Sequence, residues 1–233
     1  MRLNVLKKSF IATIPVLAGY VFLGIAFGLV MNFKGFGVLW VLAMSVFIYA
    51  GSMQFVAVDL ISGGAVPLIT VVLTTIMVNA RHIFYGISMI DRYKNTGWRK
   101  PYLIFALTDE TYSLVCQNYD GERSDEHDYY FCVSLLDQIY WVSGSVIGVL
   151  LGEFLPFTII GIDFALTALF VTVFCDQWLS GVSHFAAVVG VLSSVLCLIV
   201  FGADTFLIPS MILIFAVLSL ARFLTRRREA HDE

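Results

Sequence analysis

Eight apolar runs follow one another along the chain, near residues 10–31, 38–62, 67–90, 102–119, 129–151, 157–176, 184–201 and 205–223. Each approaches the length of about 20 residues that a helix needs to cross a bilayer. Short polar breaks separate them, and proline marks several borders: Pro67, Pro101, Pro156 and Pro209 stand at or near starts. Pro15 falls early in the first run, where a helix tolerates it best. The runs lack the strict apolar–polar alternation of barrel strands. This pattern predicts an all-α, polytopic helical membrane protein. The largest polar insert, NYDGERSDEHDYY, is only a loop, so a single domain over residues 1–233 is expected.

Composition strengthens that picture. The chain is 59% hydrophobic and 13% charged, with a mean hydropathy of +0.89. Soluble domains carry about 25% charged residues, so this chain has too few to cover a soluble core. The net charge of -3 points away from a nucleic-acid partner. Cys116, Cys132, Cys175 and Cys197 are scattered, with no C-x-x-C pair, and are expected as small buried hydrophobes rather than metal or redox ligands. Lys7 and Lys8 precede the first run as in a signal peptide, but no small-residue cleavage site follows, so a retained helix is expected.

Positive charges choose between two topologies. Eight crossings with a cytoplasmic N-terminus put five Lys and Arg outside and eight inside. If instead the 102–119 run enters and returns and the N-terminus is outside, ten lie inside and three outside. The second arrangement obeys the positive-inside rule better. It predicts about seven crossings plus one re-entrant or broken segment. The basic tail RFLTRRREAHDE then reads as an ordinary stop-transfer anchor.

The irregular segment carries the costly groups. LTDETYSLVC (107–116) places Asp109 and Glu110 side by side in apolar surroundings, where a charge costs about 2.5–3.5 kcal/mol. The third run, VLTTIMVNARHIFYGISM, holds Asn79, Arg81 and His82. Arg81 and Tyr85 share one helical face, Asn79 and His82 another. So deep an arginine must find an anion; Asp109, Glu110, Asp137, Asp163 and Asp59 are the acids within reach. A plain ion pair between helices would satisfy it. So would a site needing both charge signs, which suits a zwitterionic amino acid. In the second run, Ala50-Gly51-Ser52 with Gln54 fits either a broken helix lining a site or an intact one. Phe47, Tyr49, Phe55, Phe84, Tyr85 and Tyr112 surround these stretches as packing, or as walls for an aliphatic side chain.

Ser52, Gln54, Asn79, Arg81, Tyr85, Asp109 and Tyr112 are therefore the expected substrate-binding residues. Asp109 and Glu110 lie about 100° apart on a helix, so both can face inward, one to neutralise Arg81 and the other to hold an ammonium or a proton. His82, Asp109 and Glu110 are the proton-coupling candidates. A hydrogen-bonded packing histidine is the plainer role for His82. Gly24-x-x-x-Gly28 in the first run echoes Gly144-x-x-x-Gly148-x-x-x-Gly152 in the fifth. Ordinary close helix packing accounts for it. So does a duplicated fold, with inverted halves over 10–90 and 129–223.

AGSMQFVA (50–57), VNARHIFYG (78–86) and LTDETYSL (107–114), in this order and spacing, resemble the AzlC family, as does the opening stretch PVLAGYVFLGIAFGL (15–29). The resemblance is specific over the first half and rests on hydropathy and length in the second. It implies a permease of the inner membrane that exports valine, leucine, isoleucine and sometimes methionine, with a small, separately encoded membrane partner of the AzlD type. It implies no cofactor and no enzyme activity.

One alternative belongs to another class: an intramembrane serine hydrolase with Ser52 as nucleophile and His82 or His184 as base. No G-x-S-x-G elbow surrounds Ser52, since Met53 and Gln54 follow it.

Overall fold

A computed structural model describes residues 3–117, 119, 121, 125–154, 171, 174–175, 178–179, 184–202 and 206–229. Most of the 157–176 run, with Pro156 and Asp163, lies outside the described residues, as does Arg123. The chain divides into two compact units, Met1–Leu166 and Thr167–Glu233. All regular structure among the described residues is helical.

The first unit contains α1 (Leu3–Phe33), α2 (Val38–Phe47), α3 (Gly51–Ser62), α4 (Leu68–Asn79), α5 (Arg81–Met89), a 3-10 turn at Gly97–Arg99, α6 (Lys100–Phe105), α7 (Asp109–Val115) and α8 (Glu126–Phe154). In the second unit α9 (Phe185–Phe201) packs against α10 (Leu207–Glu229). By length and apolarity α1 and α8 qualify as membrane spans, and α4 with α5 makes a third if the bent pair counts as one.

The first unit has an apolar core, with Phe27, Val41, Leu103 and Val133 fully buried, yet it also buries polar groups and turns large apolar side chains outward. Gln54, Thr111, Ser134, Asp137 and Ser145 are fully buried, while Leu39, Phe47 and Leu68 are about 80% exposed. Large apolar side chains turned outward, with polar groups kept inside beside the apolar core, suit a lipid surround.

α1 and α8 form the axis of this unit. The two glycine stripes face each other. A Cβ on Gly24 would lie 2.9 Å from the Ser145 amide nitrogen, and one on Gly144 would lie 2.7 Å from the Val21 carbonyl oxygen. Gly28 and Gly148 are tighter still, against the Ser145 and Ile25 carbonyls. Backbone therefore touches backbone, which is the packing role of small residues four apart. Trp141 of α8 fills the next layer, edge-on to Tyr20 and stacked on Phe27, both from α1.

Three of the expected spans are interrupted. The second run breaks after Phe47 and restarts at Gly51, with Tyr49 between at φ +42°, an uncommon region for a bulky residue. Glutamines stitch the gap: Gln54 Oε1 accepts the Ala50 N–H at 3.2 Å, and Gln138 of α8 donates to the Val46 carbonyl at 3.1 Å. Tyr102 of α6 donates to the other end of Gln138 at 2.8 Å. The third run bends by 47° between α4 and α5, at Ala80. The fourth falls into α6 and α7, joined through Ala106–Thr108, with the Thr108 hydroxyl accepting the Thr111 N–H as an N-cap. Arg92 closes the other end of α7, donating to the carbonyls of Val115 and Gln117.

Cys132 and Cys197 are buried as expected, whereas Cys116 is half-buried and Cys175 exposed.

Candidate functional site

Ser52, Arg81 and Asp109 each stand in the first turn of a helix that begins at an interruption: α3, α5 and α7. The three come together. Arg81 Nη1 lies 2.5 Å from Asp109 Oδ2, and Arg81 Nη2 donates to Ser52 Oγ at 2.9 Å. The Arg81 and Asp109 side chains are 39% and 29% exposed, so the pair is partly open rather than sealed. Arg81 Nε and Asp109 Oδ1 are shielded yet have no hydrogen-bond partner, leaving one donor and one acceptor unused within a single cluster.

An aromatic pair accompanies the cluster. Tyr85, one turn after Arg81, stacks on Tyr112, on the same short helix as Asp109; the centroids are 4.6 Å apart and the planes 15°. Ser88 donates to the Tyr112 hydroxyl at 3.1 Å.

The other expected binding residues bond to backbone near the interruptions. Gln54 is fully buried, holding the Ala50 amide and reaching Ser45 Oγ at 3.5 Å. Asn79 donates to the Thr75 carbonyl at 2.9 Å on its own helix. His82 Nδ1 lies 3.2 Å from the Asn79 carbonyl, across the bend, and its ring sits edge-on to Tyr85. It also lines a cavity of about 360 Å³ with Gly86, Met89, Tyr93 and Leu107.

The two adjacent acids part company. While Asp109 takes Arg81, Glu110 Oε2 accepts from the Tyr20 hydroxyl of α1 at 2.7 Å. Tyr20 also touches Thr108 Oγ1 at 2.6 Å, Thr108 reaches Thr111 Oγ1 at 3.0 Å, and Thr111 donates to Asp137 Oδ2 at 2.7 Å. Sequence reasoning counts Asp137 among the acids that could pair with Arg81, whereas the structure pairs Arg81 with Asp109 and gives Asp137 to Thr111. Sequence reasoning misses Tyr20, Thr108 and Thr111, which carry no charge to mark them out.

Ser52 does not have a nucleophile's surroundings. Its hydroxyl oxygen accepts from an arginine, which stays protonated and cannot serve as a base. His82 is engaged with the Asn79 carbonyl. His184 belongs to the second unit, where its ring stacks on Trp178 at 4.2 Å.

Comparison with known proteins agrees with these motifs. Residues 15–155 match the family described as AzlC protein. Over 93% of this chain and 85% of its relative, the sequence is 43% identical to the branched-chain amino acid transport protein AzlC of Bacillus subtilis. It is 41% identical to a membrane protein of Helicobacter pylori, over 94% of this chain and 96% of that one. It is 26% identical to the inner membrane protein YgaZ of Escherichia coli, over 79% and 84% of the two chains. No solved structure matches. The extent of these matches settles the assignment: the chain belongs to the AzlC family, whose members are transport proteins rather than enzymes.

Proposed function

We propose that this protein exports branched-chain amino acids, with valine, leucine and isoleucine as main substrates and methionine as a further one, by ion-coupled alternating access. The observation that carries this is the Arg81–Asp109 pair with Ser52, which offers both charge signs and an unused donor and acceptor at three helix interruptions. An α-amino acid is a zwitterion. Its carboxylate suits the guanidinium fork of Arg81, and its ammonium suits Asp109. Inserting it between them turns one ion pair into two and adds no net charge to a lipid-depth site. The direct contact at 2.5 Å then belongs to the substrate-free carrier, and substrate parts it. The stacked Tyr85 and Tyr112 give the aliphatic side chain an apolar wall. Gln54 acts indirectly, by holding the interruption that carries Ser52, and Asn79 acts from the last turn of α4, next to the bend that carries Arg81.

The name of the Bacillus relative supports the substrate class, and that of the Escherichia relative supports the inner membrane. Seven crossings with an external N-terminus, inverted halves over 10–90 and 129–223, and a small AzlD-like subunit complete the proposal.

The test is efflux of labelled valine, leucine, isoleucine and methionine from cells producing the protein, with and without the small subunit. Faster efflux than from cells lacking it, strongly slowed by Arg81→Ala at low internal substrate, is expected. Efflux no faster than the control for every substrate, with the subunit present, overturns the proposal.

A further inference from the structure

Between the half-buried Glu110 and the fully buried Asp137 runs an unbroken chain of oxygens: Glu110 Oε2, Tyr20 Oη, Thr108 Oγ1, Thr111 Oγ1, Asp137 Oδ2. Its four links measure 2.7, 2.6, 3.0 and 2.7 Å, all hydrogen-bond distances. Each link needs one hydrogen. The three hydroxyls supply three. If both carboxyls were ionised, one close oxygen–oxygen contact would have no hydrogen in it and would be repulsive. One extra proton completes the set, and it can sit at either end.

We infer that Glu110 and Asp137 share one proton through Tyr20, Thr108 and Thr111, and that this chain is the proton-coupling element of the carrier. The inference rests on the proposed ion-coupled transport and names its ion and route. With the proton on Glu110, hydrogens point from Glu110 through Tyr20, Thr108 and Thr111 to an ionised Asp137. With it on Asp137, every bond reverses. Passage between the two states breaks four O–H bonds and forms four. The Asp137 proton goes to Thr111, the Thr111 hydrogen to Thr108, that of Thr108 to Tyr20, and that of Tyr20 to Glu110. One carboxyl is ionised as the other is neutralised.

The surroundings favour such an exchange. Asp137 Oδ1 is buried without a hydrogen-bond partner, so a lasting charge there is costly, whereas Glu110 lies half-buried at the end nearer the Arg81–Asp109 pair. The titratable groups facing Asp137 are Glu110 of α7, Tyr49 from the α2–α3 junction and Tyr102 of α6, with Tyr129 on its own helix. Glu110 is faced by Tyr20, Tyr49 and Tyr85, with the Arg81–Asp109 pair beside it. Binding at that pair changes the field at Glu110 first, which would tie the proton's position to substrate.

An amide at the buried end can supply the fourth hydrogen but cannot give up a proton. Asp137→Asn therefore keeps the chain hydrogen-bonded and stops proton passage along it, and Tyr20→Phe cuts it while keeping both carboxyls. Infrared spectra of the purified full-length protein should show a protonated-carboxyl stretch that disappears in Asp137→Asn and, separately, in Glu110→Gln. In proteoliposomes, Asp137→Asn and Tyr20→Phe should retain valine counterflow yet lose valine accumulation driven by an imposed pH gradient. An unchanged carboxyl band in both amide variants overturns the inference. So does gradient-driven accumulation that survives in Asp137→Asn, or a wild type that ignores the gradient while exchanging valine. A wild type that carries no branched-chain amino acid at all refutes the transport proposal instead, and the infrared measurement still decides the shared proton.

Discussion

Arg81 and Asp109 meet across two interrupted spans, with Nη1 and Oδ2 2.5 Å apart and Ser52 holding the other arm of the guanidinium. Each partner gives the other a counter-charge at lipid depth, so neither is replaceable alone. Charge-assisted hydrogen bonds are worth about 1.5–3 kcal/mol, or about 10- to 100-fold in affinity. Arg81→Ala and Asp109→Asn should each raise the half-saturating valine concentration by that order. The double change should cost less than the sum of the two, as for residues acting as a unit. Valine binding by the purified variants reads both effects; strict additivity would show that the pair does not act together.

Ser52 contributes one neutral hydroxyl to that cluster. Ser52→Ala removes a bond donated by a charged group, so it should weaken valine binding by no more than about 1.5–3 kcal/mol, and leave transport measurable. Complete loss of transport in a folded variant would contradict its supporting role.

The glycine stripes bear on stability rather than transport. Gly28→Ala drives a methyl into the Ser145 carbonyl and the Val149 amide, both backbone groups that cannot step aside. Overpacking of this kind costs about 1–3 kcal/mol, and the thermal midpoint in detergent should fall. Around Gly19, on the same helix, a methyl would meet nothing within 4 Å, so Gly19→Ala should hold or raise the midpoint.

Gln138 links α8 to Val46 and Tyr102 through the two ends of one amide. Gln138→Ala leaves a part-buried carbonyl and a part-buried phenol without this partner, at about 1 kcal/mol for each bond lost, and the thermal midpoint should fall. Gln138→Glu keeps the acceptor for Tyr102 but sets a carboxylate against the Val46 carbonyl, so its midpoint should fall at least as far as that of alanine at neutral pH and recover as the pH is lowered.

The pairing of Arg81 with Asp109 was legible because charge in an apolar run is conspicuous. A deep arginine must find an acid, and the adjacent Asp109 and Glu110 were the natural choices. That Asp109 takes Arg81 while Glu110 turns to Tyr20 is a matter of packing, which one helix viewed alone cannot reveal. The break at Gly51 was foreshadowed by a glycine beside polar residues. The bend at Ala80 was not, since alanine is the best helix former and marks no boundary. The glycine echo between the first and fifth runs fitted both close packing and an ancestral duplication. The contact of Gly24 and Gly28 with Gly144 and Gly148 supplies the packing explanation directly. Thr108 and Thr111 were invisible as functional groups, because a hydroxyl acquires meaning only from the oxygens around it.

The seam between α1 and α8 has a mechanical corollary. Where main chain rests on main chain, there is no cushion of side chains to slide or re-pack, and a shift along the contact would drive carbonyls into one another. Under the proposed alternating access, that seam would be the stator, and the stroke would fall to the short segments around it, which are interrupted at Tyr49, Ala80 and Ala106.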